Sequence, residues 1–163
     1  MRMLAMLLIA LAPTGGALAT EKGSDTMKIN RKADQQSIEG PAENFTGKAT
    51  ISGFFRRDEP SRLTGAFVTF EAGARTAWHS HPLGQTLIVT DGVGWTQIEG
   101  GPKYEFHEGD VVLCPKDKKH WHGATPDGPM THIALQETLD GTNVTWLEKV
   151  TDEEYLSDLA EDD

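Results

Sequence analysis

From about Ser37 onwards the chain alternates short apolar runs with Gly, Pro and Asp punctuation. The runs lie at Ala49 to Phe55, Gly65 to Phe70, Thr86 to Thr90, Gly94 to Ile98, Asp110 to Cys114, His132 to Glu137 and Val144 to Val150. They are rich in β-branched and aromatic residues, short for helices, and bounded by turn formers. This spacing predicts an antiparallel all-β sandwich or barrel. Only Thr151 to Leu159 reads as helical, with Thr151 placed to cap it and acidic residues in its first turn.

The pattern changes towards the N-terminus. Met1-Arg2 gives a positive start, Leu4 to Ala12 an apolar run, and Ala17-Leu18-Ala19 a small-x-small cleavage motif, so residues 1–19 are expected to be a signal peptide. The run is shorter than the ~18 to 20 residues that cross a bilayer. Residues 20–36 are polar and aperiodic and are expected to form a flexible leader, with residues 37–163 as the single folded domain. The expected location is outside the cytoplasm, in a bacterial periplasm. Although export permits disulfides, Cys114 is the one cysteine, so none can form within the chain. With 25 acidic against 15 basic residues the formal net charge is −10, which opposes nucleic acid and anionic membranes as partners and leaves a small molecule.

Candidate chemistry concentrates in the histidines. His79, His81 and Gln85 share parity, so an extended segment with at most a small irregularity at Pro82-Leu83-Gly84 projects all three to one face. His120 and His122 form a second pair, and imidazole suits divalent transition metals. In Met130 to Gln136 the even positions His132, Ala134 and Gln136 share a face, which makes His132 a candidate general base and Gln136 a candidate hydrogen-bonder to a polar substrate group. His107 sits beside a turn and reads as exposed; His122 reads as a supporting hydrogen-bonder. Asn44-Phe45-Thr46 and Asn143-Val144-Thr145 match glycosylation sequons, and the four tryptophans read as packing residues.

The spacing resembles both signature motifs of the cupin superfamily. The first runs Gly73, five residues, His79-x-His81, three residues, Gln85, six residues, Gly92; the second runs Gly109, five residues, Pro115, then His120 and Ala124. The sequence departs from the motifs at Gln85, where Glu is usual, at Asp117 for Gly, and at Ala124 for Asn. The resemblance implies a single cupin (jelly-roll) β-barrel with a short C-terminal helix. Ala66 to Glu71, Ala74 to Val89, His120 to Ala124, and His132 to Glu137 with Trp146 and Thr151-Asp152-Glu153 are similar, more closely, to bacterial manganese-dependent cupin hydroxynitrile lyases. That similarity implies Mn(II) on His79, His81, Gln85 and His120, with Fe, Zn, Co or Ni as alternatives. It further implies His132 as the base, Gln136 as a polar contact, Ala66 and Val68 as pocket walls, and a homodimer or homotetramer. The implied reaction is reversible cleavage of a cyanohydrin to an aldehyde and cyanide. A set of three imidazoles and a neutral amide leaves a divalent ion its full charge, which favours Lewis-acid chemistry; a dioxygenase or a non-catalytic periplasmic binder are the competing expectations.

Overall fold

The computed structural model describes residues 26–160, so the expected signal peptide at 1–19 lies outside the described residues. A 3-10 turn at Lys32–Asp34 precedes twelve strands: β1 (Ser37–Glu39), β2 (Phe45–Thr46), β3 (Ala49–Arg56), β4 (Leu63–Phe70), β5 (Arg75–Thr76), β6 (His79–Ser80), β7 (Gln85–Ile98), β8 (Lys103–His107), β9 (Val111–Cys114), β10 (His120–Ala124), β11 (Met130–Glu137) and β12 (Thr145–Trp146). A single-turn helix, α1 (Asp152–Tyr155), follows. The all-β expectation therefore holds.

The strands form one curled antiparallel sheet with two halves. One half runs β1-β3-β4-β11-β7, with β9 on the far side of β7. The other joins β7 to β8 and β10, and β10 carries β5 and β6. Strand β7 belongs to both halves: Gln85 to Ile88 pair with β9, and Val93 to Gln97 with β8. The sequence pattern suggested two strands here, because Asp91-Gly92 reads as a turn. Gly92 instead has φ +76°, and a Cβ on it would lie 2.1 Å from the Pro129 carbonyl oxygen. Beside it the register of β11 on β7 shifts between Thr131 and His132. The glycine thus bends the strand at a bulge without ending it, as a residue lacking Cβ can.

Alternation decides what each strand buries. In β11 Met130, His132 and Ala134 are buried while Thr131, Ile133 and Leu135 are partly exposed. Facing positions on β4, β7 and β3 complete an apolar interior that includes Ala49, Val68, Phe70, Leu87 and Val89. A second cluster, Trp78, Trp121, Val150 and Tyr155 with Trp95 packed against it, anchors the C-terminal segment on the outside. Tyr155 donates its hydroxyl to the Ala124 carbonyl at 2.7 Å, under the Arg75 guanidinium 4.5 Å from its ring centre.

Two C-terminal expectations are shortened. The run at 144–150 keeps only Thr145–Trp146 as strand. The expected helix to Leu159 ends at Tyr155: Thr151 and Glu154 form a capping box, but Ser157 Oγ donates back to the Glu154 carbonyl and Ala160 N to the Lys103 carbonyl. A local side-chain bond and one tertiary bond to β8 take the place of further turns in a short, strongly acidic helix.

Candidate metal centre

The first two candidate ligands and the third are separated by a true turn. Strand β6 stops at Ser80, Gly84 N donates to the His81 carbonyl, and β7 begins at Gln85. Gly84 is in the left-handed region at φ +81°, with the Cys114 carbonyl oxygen 2.8 Å from where a Cβ would sit. The expected near-continuous extended segment is therefore replaced by two strands of the curled sheet. Convergence of the side chains comes from the sheet: β6 pairs with β10, matching His79 with His120, while Gln85 lies between β9 and β11. Asp117, where the superfamily motif has Gly, adopts φ +59° all the same, and its N–H donates to the His81 carbonyl at 2.9 Å. Asp tolerates this conformation better than most residues.

Five of the six histidines meet in the interior. Ring centres of His79 and His120 are 4.3 Å apart, His79 and His81 5.1 Å, and His81 and His120 5.6 Å. Their Nδ1 atoms each donate to a main-chain carbonyl: His79 to Ala77 at 3.0 Å, His81 to Asn143 at 2.5 Å, and His120 to Lys118 at 2.9 Å. A carbonyl can only accept, so each ring is the Nδ1–H tautomer with its lone pair on Nε2. Nε2 of His81 and of His120 is buried without a hydrogen-bond partner. Burial lowers the pKa of all three, that of His81 to about 4, and keeps them neutral. Neutral imidazoles with Nδ1–H held by the main chain, two of them with a buried and unpartnered Nε2, are suited to a divalent transition metal, so these residues fit one.

Gln85 and His122 complete the cluster. Gln85 is 8% exposed, and its Oε1 accepts from His122 Nε2 at 3.3 Å. The nitrogen atoms of His79, His120 and His122 come within 4.8 Å of one another, so His122 is closer to the centre than its expected supporting role required. Its hydrogen bonding still separates it from the other three. His122 spends Nε2 on Gln85 and leaves Nδ1 unpartnered, whereas His79, His81 and His120 spend Nδ1 on the main chain.

Beside the cluster lies a cavity of about 170 Å³ whose walls include Ala66, Val68, His132, Gln136 and Trp146. No carboxylate lines it among the described residues. His132 is fully buried, pairs in register with Val68 and Val89, and has no partner on either ring nitrogen. Burial lowers its pKa to about 3, so it is neutral. Gln136 lines the cavity but already donates from Nε2 to Thr64 and accepts at Oε1 from Gln85, leaving one N–H and one lone pair for anything bound there. His107 is exposed, 3.2 Å from Glu105, and takes no part.

Three contributors escaped the sequence reading. Thr64 shares parity with Ala66 and Val68, a signal that was available. Trp146, with its ring centre 4.9 Å from that of His79, was visible as a packing aromatic within the family resemblance but not as a wall of the site. Asn143 lies outside any strand and carries no local signal beyond an apparent sequon.

A family model described as "Cupin domain" matches residues 66–135. An (R)-mandelonitrile lyase from Granulicella tundricola is 57% identical over 129 residues, covering 79% of this chain and 98% of that protein. Among solved structures, a cupin-like protein from Thermotoga maritima superposes with a TM-score of 0.67 at 42% identity, over 72% of this chain and 89% of that one. The polyketide cyclase RemF from Streptomyces resistomycificus superposes at 0.62 with 14% identity, over 80% of this chain and 91% of its own, a likeness of fold.

Proposed function

This chain belongs to the cupin family, and from that premise we propose that it is a metal-dependent lyase cleaving a cyanohydrin to an aldehyde and hydrogen cyanide. The observation that carries the reading is the donor set beside the cavity: three neutral imidazoles and a neutral amide, with no carboxylate lining that space among the described residues. The 57% identity to a mandelonitrile lyase over nearly its whole length supports this substrate class.

His79, His81, His120 and Gln85 Oε1 would hold the metal, Mn(II) in the first place. Bound there, it supplies a Lewis acid that stabilises negative charge on oxygen, undiminished by a carboxylate ligand. His132 is the base. Its unpartnered ring nitrogen takes the hydroxyl proton of the cyanohydrin, the bond to the nitrile carbon breaks with its electron pair going to cyanide, and the aldehyde carbonyl forms. His132 then returns the proton, so that hydrogen cyanide leaves and the imidazole is neutral again. Ala66, Val68 and Trp146 wall the apolar side of the cavity and exclude water from the substrate. We propose further that the protein acts outside the cytoplasm as a homodimer or homotetramer.

The test is an assay of the purified, Mn(II)-loaded protein with mandelonitrile, with and without dioxygen. Benzaldehyde and cyanide in equal amounts under both conditions is the expected result. Turnover that requires dioxygen, or no turnover at all, overturns the proposal.

A further inference from the structure

Thr64, Gln136 and Gln85 occupy one rung of the sheet: Gln136 of β11 stands opposite Thr64 of β4 on one side and Gln85 of β7 on the other. Thr64 is wholly buried, and its hydroxyl uses every hydrogen-bonding capacity it has. It donates to the Gln136 carbonyl at 3.0 Å, and accepts from Gln136 Nε2 at 3.1 Å and from Asn143 Nδ2 at 3.2 Å. A hydroxyl has one hydrogen and two lone pairs. With the hydrogen given to the carbonyl, both amides must turn their NH₂ groups towards it. Gln136 Oε1 then points the opposite way, where it accepts from Gln85 Nε2 at 3.3 Å. Gln85 is left with Oε1 towards the histidines, and only the oxygen end of an amide has a lone pair to offer a cation. Asn143 forms a second arm, since its main-chain carbonyl holds His81 Nδ1.

We propose that Thr64 is a positioning residue for the metal: one buried hydroxyl sets, through Gln136 and Asn143, which atom of Gln85 faces the ion and how His81 is aimed. The inference rests on the metal centre proposed above and deepens it. It also accounts for Gln at position 85. A glutamate there has no hydrogen for Gln136 Oε1, so Gln136 would have to turn over and set its oxygen against a Thr64 hydroxyl whose hydrogen already serves the carbonyl.

The experiment titrates Mn(II) into the purified protein against a competing fluorescent chelator, for the unaltered chain and for Thr64→Val, Thr64→Ser and Gln136→Met, with thermal melts to establish folding. Thr64→Val and Gln136→Met are expected to weaken Mn(II) binding about 10- to 100-fold, the usual effect of losing a group that orients a ligand. Thr64→Ser, which keeps the hydroxyl, is expected to bind as the unaltered chain does. With Co(II) as the probe, the visible absorption bands of Thr64→Val are expected to change, whereas a purely structural role leaves them as they were. A folded Thr64→Val with unchanged Mn(II) affinity and unchanged Co(II) bands overturns the proposal; if that variant does not fold, the same outcomes in Gln136→Met decide it. If the unaltered chain takes up neither ion, the metal centre itself falls, a result distinct from failure of the Thr64 relay.

Discussion

His79 and His120 are antiparallel register partners across β6 and β10, their ring centres 4.3 Å apart and each Nδ1 held by a main-chain carbonyl two residues earlier in its own sequence. Two tilted, neutral imidazoles so close have no hydrogen bond to share, and His81 stands over both with its own Nε2 unpartnered. Buried lone pairs without donors are costly unless something positive takes them up.

His79→Ala, His81→Ala and His120→Ala are therefore each expected to lower metal affinity by at least ~100-fold, since even groups that merely orient a ligand cost 10- to 100-fold. His107→Ala, in an exposed position, is expected to leave it unchanged. Metal content per chain after gel filtration, by elemental analysis, checks both; equal depletion by the His107 change would refute this ligand set.

His132→Ala is expected to keep the metal yet slow cyanohydrin cleavage by ~10² to 10⁴-fold, the ordinary contribution of a general base. Steady-state assays on metal-replete variants provide the measurement. In the same assay Gln85→Glu is expected to bind metal and cleave more slowly, because a carboxylate offsets the ion's charge before negative charge develops on oxygen. Full activity in His132→Ala would remove the base from the mechanism.

Acid is expected to destabilise the metal-free protein. Burial holds His132 at about 3 and His81 at about 4 in the folded chain, against 6.5 for an unperturbed histidine. Below about pH 6.5 the unfolded state binds more protons than the folded one, so stability is fully present above that pH and falls as the pH drops towards 4 and then 3. Melting temperatures of chelator-treated protein across this range test the sign; a melting temperature that rose on acidification would contradict it.

Gly92→Ala tests the bulge that lets β7 serve both halves of the sheet. An added Cβ meets the Pro129 carbonyl at 2.1 Å and has to adopt φ +76°, so a loss of about 2 kcal/mol or more is expected in urea unfolding. Gly73→Ala shares the positive φ but meets nothing within 4 Å, and is expected to lose less.

Export predicts that protein recovered from its native host begins at Thr20, by intact mass. Recovery of a chain starting at Met1 or Met27 would refute the proposed cleavage.

By itself the sequence determined the strand-rich class and the shared face of His132, Ala134 and Gln136 on β11. These are local properties: successive Cβ atoms on a strand point to opposite sides, so the parity of His132, Ala134 and Gln136 gives their shared face without knowledge of any partner, whereas Ala66 and Val68 as pocket walls came only with the family resemblance. The motif spacing went further, because a family resemblance carries tertiary information that parity lacks. Only the tertiary structure decided that β7 is one bent strand, since Asp91-Gly92 is as good a turn as a bulge until Pro129 is packed against it. It alone joined His79 and His81 to Gln85 across a turn, and ended α1 at Tyr155 where the chain found partners in β8 and β10. The tautomers of His79, His81 and His120, and the direction of the Gln85 amide, were likewise undecided by sequence. They depend on hydrogen-bond partners, and for His81 and Gln85 those are Asn143 and Gln136, brought alongside from more than fifty positions away by the pairing of strands.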